Sequence, residues 1–153
     1  MRDKRDKELC YRSGLAALKE VQSLFPELKM ELDEKDPNVH IVMNIHKQKG
    51  LDFTIYLNLQ NIDELHLEVG KLWMCWFPCT EKENVDDFLD TIHGLISGKY
   101  RILETLRSGK VVKSRLQKPV NGEWASKSSG LLTFHFPIFG KRSFNIVQNI
   151  TSA

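Results

Sequence analysis

The feature that most constrains this chain is a sustained two-residue alternation of apolar and polar side chains between Val39 and Val69. Val39, Ile41, Met43 and Ile45 alternate with His40, Asn44 and His46. Phe53, Ile55, Leu57 and Leu59 alternate with Thr54, Tyr56, Asn58 and Gln60, and Leu65, Leu67 and Val69 with His66 and Glu68. Successive side chains of an extended chain point to opposite faces, so these runs specify half-buried strands. Lys47–Gly50 and Asn61–Glu64 supply the turns between them. The result is an antiparallel sheet with one apolar face to be covered.

Helical periodicity flanks the strands. Leu18, Val21, Phe25 and Leu28 recur at helical spacing and predict a first helix over about Asp6–Phe25, ended by Pro26. Gly14 weakens it by about 1 kcal/mol relative to Ala. Val85, Phe88, Leu89, Ile92, Leu95 and Ile96 predict a second helix. Asn84 is placed to cap it, Asp86 and Asp87 to favour its positive end, and Gly98 to stop it. Leu28–Leu32 reads as a short strand before a turn containing Pro37. Leu72–Phe77 is apolar on both faces, and Gly70 before it reads as a β-bulge. Tyr100–Arg107 and Lys110–Gln117 form a hairpin around Ser108-Gly109; its register is undecided, and a three-residue loop would set Ile102 opposite Leu116 and Leu106 opposite Val112, which gathers the apolar side chains best. Lys118–Gly130, rich in Pro, Asn, Gly, Ser and Lys, reads as a long loop. Leu131–Phe136 and Phe139–Ile150 supply the closing strands.

The order α-ββββ-α-βββ(β) specifies the α+β class: a mainly antiparallel, curved sheet of six to eight strands with two helices packed on one face. Residues 1–153 read as one domain, with the charged run 1–8 as a disordered lead. The longest apolar stretch, Leu72–Pro78, falls far short of the roughly 20 residues a spanning helix needs. No apolar segment follows the charged N-terminus, and three cysteines (Cys10, Cys75, Cys79) form no disulfide framework. A cytoplasmic protein without a membrane partner is expected.

Candidate chemistry is sparse. Cys75 and Cys79 make one loose pair, whereas structural zinc sites use paired short spacings, so neither a metal nor any other cofactor is expected. Cys75 reads as a buried small hydrophobe and Cys79 as a turn residue. His40, His46 and Asn44 share one strand face, and His66 the polar face of another. Neighbouring strands would gather them with Glu68 into a patch, for which a solvated polar face is the plainer reading. The acidic cluster Glu81, Glu83, Asp86, Asp87 and Asp90 serves the helix dipole and solubility. Trp73, Trp76 and His93 mark a possible pocket between sheet and second helix.

Charge carries the strongest functional hint. Residues 1–98 hold 12 Lys+Arg against 18 Asp+Glu, whereas residues 99–142 hold ten against two, Glu104 and Glu123. Such asymmetry is what an electrostatic partner reads. The cationic stretch is interleaved with Trp124, Phe134, Phe136 and Phe139. Arg101, Arg107, Lys110, Lys113, Arg115 and Trp124 are the expected partner-binding residues. No nucleophile elbow, phosphate loop or triad is recognisable. The expected function is non-catalytic binding of another protein or of a second copy, in a chaperone-like, toxin-neutralising or adaptor role. The architectural analogy is to small secretion chaperones, toxin-neutralising proteins and curved-sheet ligand binders. Nucleic-acid binding through residues 100–142 is the first alternative, and a small-ligand carrier or enzyme the second.

Overall fold

The alternating runs pair in sequence order. A computed structural model describes residues 4–34, 40–130 and 140–150. Helix α1 (Lys4–Leu24) precedes β1 (Glu31–Asp33), β2 (Ile41–Ile45), β3 (Ile55–Gln60), β4 (Glu64–Val69) and β5 (Leu72–Trp76). Helix α2 (Lys82–Ile96) follows, then β6 (Arg101–Arg107), β7 (Lys110–Val120), β8 (Glu123–Gly130) and β9 (Arg142–Val147). The α+β class with antiparallel sheets holds. The described strands divide, however, into a five-stranded meander β1-β2-β3-β4-β5 and a four-stranded sheet β8-β7-β6-β9, rather than one sheet of six to eight. No helix among the described residues is long and apolar enough to cross a membrane.

Register explains the core. One cross-strand row on the inner face is Ile41, Leu59, Leu65 and Trp76, and the next is Leu32, Met43, Leu57, Leu67 and Met74. Both rows are buried apart from half-buried Leu32. Each such side chain removed from water contributes about 1.5–3 kcal/mol. The helices pack on each other and over this face, α1 against β3 and α2 against β5. Leu18 and Val21 of α1 and Phe88, Ile92 and Leu95 of α2 complete the interior. Gly14, costly to the helix alone, permits this approach, because a Cβ there would lie 2.6 Å from the Leu59 side chain.

Several local expectations are corrected. α1 begins at Lys4, two residues ahead of the expected Asp6. Gly70 is not a bulge: with Lys71 it forms the two-residue turn between β4 and β5, at φ +56°, where Val69 pairs with Leu72. The long loop at Lys118–Gly130 is instead a hairpin. Asn121 and Gly122, at φ +51° and +80°, turn the chain so that Val120 pairs with Glu123. Two positive-φ residues give a turn whose twist matches that of the flanking strands. Ser108 and Gly109 do the same between β6 and β7. Ile102 opposes Leu116 as expected, but an irregularity beyond Thr105 places Leu106 opposite Val111 rather than Val112. The N-cap position of α2 is Glu81, which makes no side-chain cap bond, rather than Asn84, whose side chain donates to the Pro78 carbonyl. The strand expected at Leu131–Phe136 lies outside the described residues, as do Pro37 and the 1–3 terminus.

A buried amide joins the C-terminal segment to the body. Asn149 Nδ2 donates to the carbonyls of Ile96, at 2.6 Å, and Gly50, at 2.9 Å, while its Oδ1 accepts from Asp52 N at 3.0 Å. Three segments distant in sequence thus share one side chain. Truncating it leaves buried backbone groups without partners, which costs about 1–3 kcal/mol. Asn149→Ala is expected to lower the denaturant midpoint correspondingly at unchanged m-value. An unchanged midpoint would contradict the role assigned to this residue.

Candidate functional site

The expected partner-binding residues all fall on the four-stranded sheet. Opposed residues of antiparallel strands share a face. Ile102 and Leu116 point into the core, so Arg101, Leu103, Thr105 and Arg107 point away from it. Across from them stand Gln117, Arg115, Lys113 and Lys110 of β7, and, from β9, Ile146, Phe144 and Arg142 opposite Leu103, Thr105 and Arg107. The outward face therefore reads as three rows: Arg115–Leu103–Ile146, Lys113–Thr105–Phe144 and Lys110–Arg107–Arg142. Trp124 joins it opposite Pro119. The two carboxylates of the region point the other way: Glu104 pairs with Ser114 and accepts from Asn145 Nδ2, and Glu123 pairs with Val120.

Aromatics on this face already hold cations. The Arg101 guanidinium lies 4.0 Å over the Trp124 ring while its Nε donates to Gln117 Oε1 at 2.8 Å. Arg142 lies 5.1 Å over Phe144. Phe144 and Ile146 remain 57% and 43% exposed. Phe134, Phe136 and Phe139, counted with this tract in the sequence, lie outside the described residues.

Trp73, Trp76 and His93 are not brought together. Trp76 is core: its indole N–H donates to Asp87 Oδ2 at 2.7 Å and its ring meets Phe88 edge-on at 5.3 Å. His93 is half-buried, with its ring 5.5 Å from that of Phe25. Trp73, three residues before Trp76, necessarily points through the other face and is 45% exposed. The acidic cluster also does more than cap. Besides Asp87, Asp90 accepts from Tyr100 Oη at 2.9 Å and from Lys118 Nζ at 2.7 Å, tying α2 to the basic sheet.

The outer face of the five-stranded sheet holds a polar cluster that sequence reasoning approached through His66 alone. One cross-strand row runs Asp33, Val42, Asn58, His66 and Cys75, and the next Glu31, Asn44, Tyr56, Glu68 and Trp73. His66 is only 2% exposed. Its Nε2 lies 2.9 Å from Glu64 Oε2, and its Nδ1 accepts from Trp73 Nε1 at 3.2 Å and lies 2.7 Å from Gln60 Nε2. The side chains of His40 and His46 stand apart, His46 reaching Glu31 at 3.3 Å. The partners of His66 come from β3, β4 and β5, and only the strand register assembles them.

Cys79 lies in the turn expected of it, and Cys75 is less buried than expected. Cys79 is fully buried, its Sγ donating to the Cys10 carbonyl at 3.2 Å, while Cys75 is half-buried beside His66. Burial, reinforced by nearby Asp63 and Glu64, pushes the Cys75 thiol up to about 11. Burial pushes Cys79 to about 12. The Asn61 amide, with His66, holds the Glu64 carboxyl below its usual range. A thiol held protonated is the opposite of what a nucleophilic cysteine needs, so the Glu64–His66–Cys75 arrangement is not an activated triad. These shifts predict an alkaline weakness. Unfolded thiols ionise near 9.0, so above that pH the unfolded chain releases protons first, and stability falls until the folded thiols also ionise near 11 and 12. Thermal unfolding from pH 8 upward is expected to show this decline, with a shallower slope in Cys79→Ala; equal slopes would contradict it. No family model, curated protein or solved structure matches the chain.

Proposed function

We propose that the chain is a non-catalytic binding protein whose basic sheet face grips an acidic protein surface, its own second copy being the partner that its charge pattern fits. One observation carries this: Lys110, Arg107 and Arg142 stand directly opposite one another across three strands. Like charges so placed are destabilising in the free chain, and an anionic partner relieves that cost. The neighbouring rows add Leu103, Ile146 and Phe144, giving apolar contact beside the cations, the mixture expected of a protein interface.

Glu81, Glu83 and Asp86 are exposed where α2 begins. A second copy could present this acidic turn to the basic face, a heterologous contact. Nucleic acid is supported less well. Base stacking needs open aromatic faces; Trp124 lies under the Arg101 guanidinium, which leaves Phe144, 57% exposed, as the open ring among the described residues of this face.

Sedimentation of the purified chain at low salt is expected to show self-association that disappears at about 0.5 M salt, where charges are screened within several ångströms. Arg107→Glu/Lys110→Glu should abolish it at all salt concentrations. A monomer at low salt that instead binds a single-stranded oligonucleotide would overturn this proposal in favour of nucleic-acid recognition.

A further inference from the structure

We propose that Glu64, His66 and Cys75 form a binding site for a zinc-class divalent metal ion on the outer face of the five-stranded sheet. Glu64 and His66 are two residues apart on β4 and so share a face, and Cys75 of β5 stands directly opposite His66. A carboxylate oxygen, an imidazole nitrogen and the thiol sulfur all lie within 4.8 Å of one another. Metal–ligand bonds of about 2.0–2.3 Å bring tetrahedral ligands to roughly 3.5 Å apart, a contraction that side-chain rotation supplies. One sulfur, one nitrogen and one oxygen form a donor set for zinc, cobalt or copper, not for calcium or magnesium.

An unpartnered acceptor lies on the strand beside His66. Asn58 is the cross-strand neighbour of His66 on the side away from Cys75. It is 2% exposed, yet its Oδ1 has no hydrogen-bond partner among the described residues. A buried acceptor left without a donor carries a desolvation cost.

The surroundings suit a ligand shell. Asn61 Nδ2 donates to Glu64 Oε2 at 2.9 Å, fixing the carboxylate. With the metal on Nε2, the His66 proton moves to Nδ1, where the Gln60 amide, turned over, accepts it through oxygen. Binding forms the metal–sulfur bond as the S–H bond breaks and releases that one proton to solvent. The Trp73 indole N–H, which now donates to His66 Nδ1, loses its acceptor. Trp73 therefore reports on occupancy.

Titration of the metal-free chain with Co2+ is the direct test. One equivalent should produce thiolate-to-cobalt absorption and change Trp73 fluorescence, and Zn2+ should displace the cobalt and raise Tm. Cys75→Ser should abolish the thiolate absorption and weaken binding at least about tenfold, while Cys10→Ser/Cys79→Ser keeps both. Trp73→Phe should remove the fluorescence change and keep the stoichiometry. As a check independent of folding in the variants, Zn2+ should protect Cys75 of the native chain from alkylation, read by peptide mass. Absence of thiolate absorption in the native chain, its survival in Cys75→Ser, or unchanged Cys75 alkylation with saturating Zn2+ would overturn the site.

Discussion

The structure depends on helices α1 and α2 sealing one face of a meander. Rows such as Ile41–Leu59–Leu65–Trp76 are buried under α1 and α2, and apolar burial of this kind is the dominant favourable contribution to folding. Because side chains alternate strictly, fixing that register fixes the opposite set as well. Asn58, His66, Cys75 and Trp73 are on the far side because Leu57, Leu65, Leu67, Met74 and Trp76 cannot be. The same logic runs through the second sheet. Ile102 and Leu116 turn inward, and a set of cations follows outward at the intervening positions.

The charge division of the sequence thereby becomes geometry. Ten basic residues between Lys99 and Arg142 give no direction by themselves. Pairing puts Arg107 between Lys110 and Arg142 and sends Glu104 to the other face. Only Lys118, among the cations of β7, turns back to meet an acid of the other half, Asp90. Its side chain is enclosed by Tyr100, whose ring lies 4.4 Å away. A tie from Lys118 to α2 and a row of cations on the opposite face is an arrangement suited to external contact.

Much of the fold was legible wherever a local period carried the signal. The strands at Ile41–Ile45, Ile55–Gln60 and Glu64–Val69 follow from alternation, and α2 from its apolar stripe with Gly98 at its end. What failed had competing local signals. The composition of Lys118–Gly130 suggests a loop, yet Asn121-Gly122 within it is a turn pair that closes a hairpin, and that dipeptide was the stronger cue. Gly70 looked like an interruption of one strand because the apolar run resumes beyond it. The His66 cluster and the Asn149 junction were out of reach for a different reason. Each joins residues from three segments, and no pattern along the chain states which strands become neighbours. The parity of Trp73 and Trp76, by contrast, was readable: an odd spacing puts them on opposite faces.

The central claim is that this protein closes one sheet face and offers a cationic one outward. Collisional quenching of single-tryptophan variants, with the other two indoles replaced by Phe, measures that most directly. Trp124 beside Arg101 should be quenched more strongly by iodide than by caesium, and Trp76 by neither. Equal quenching of Trp124 by the two ions, or ready quenching of Trp76, would contradict the account.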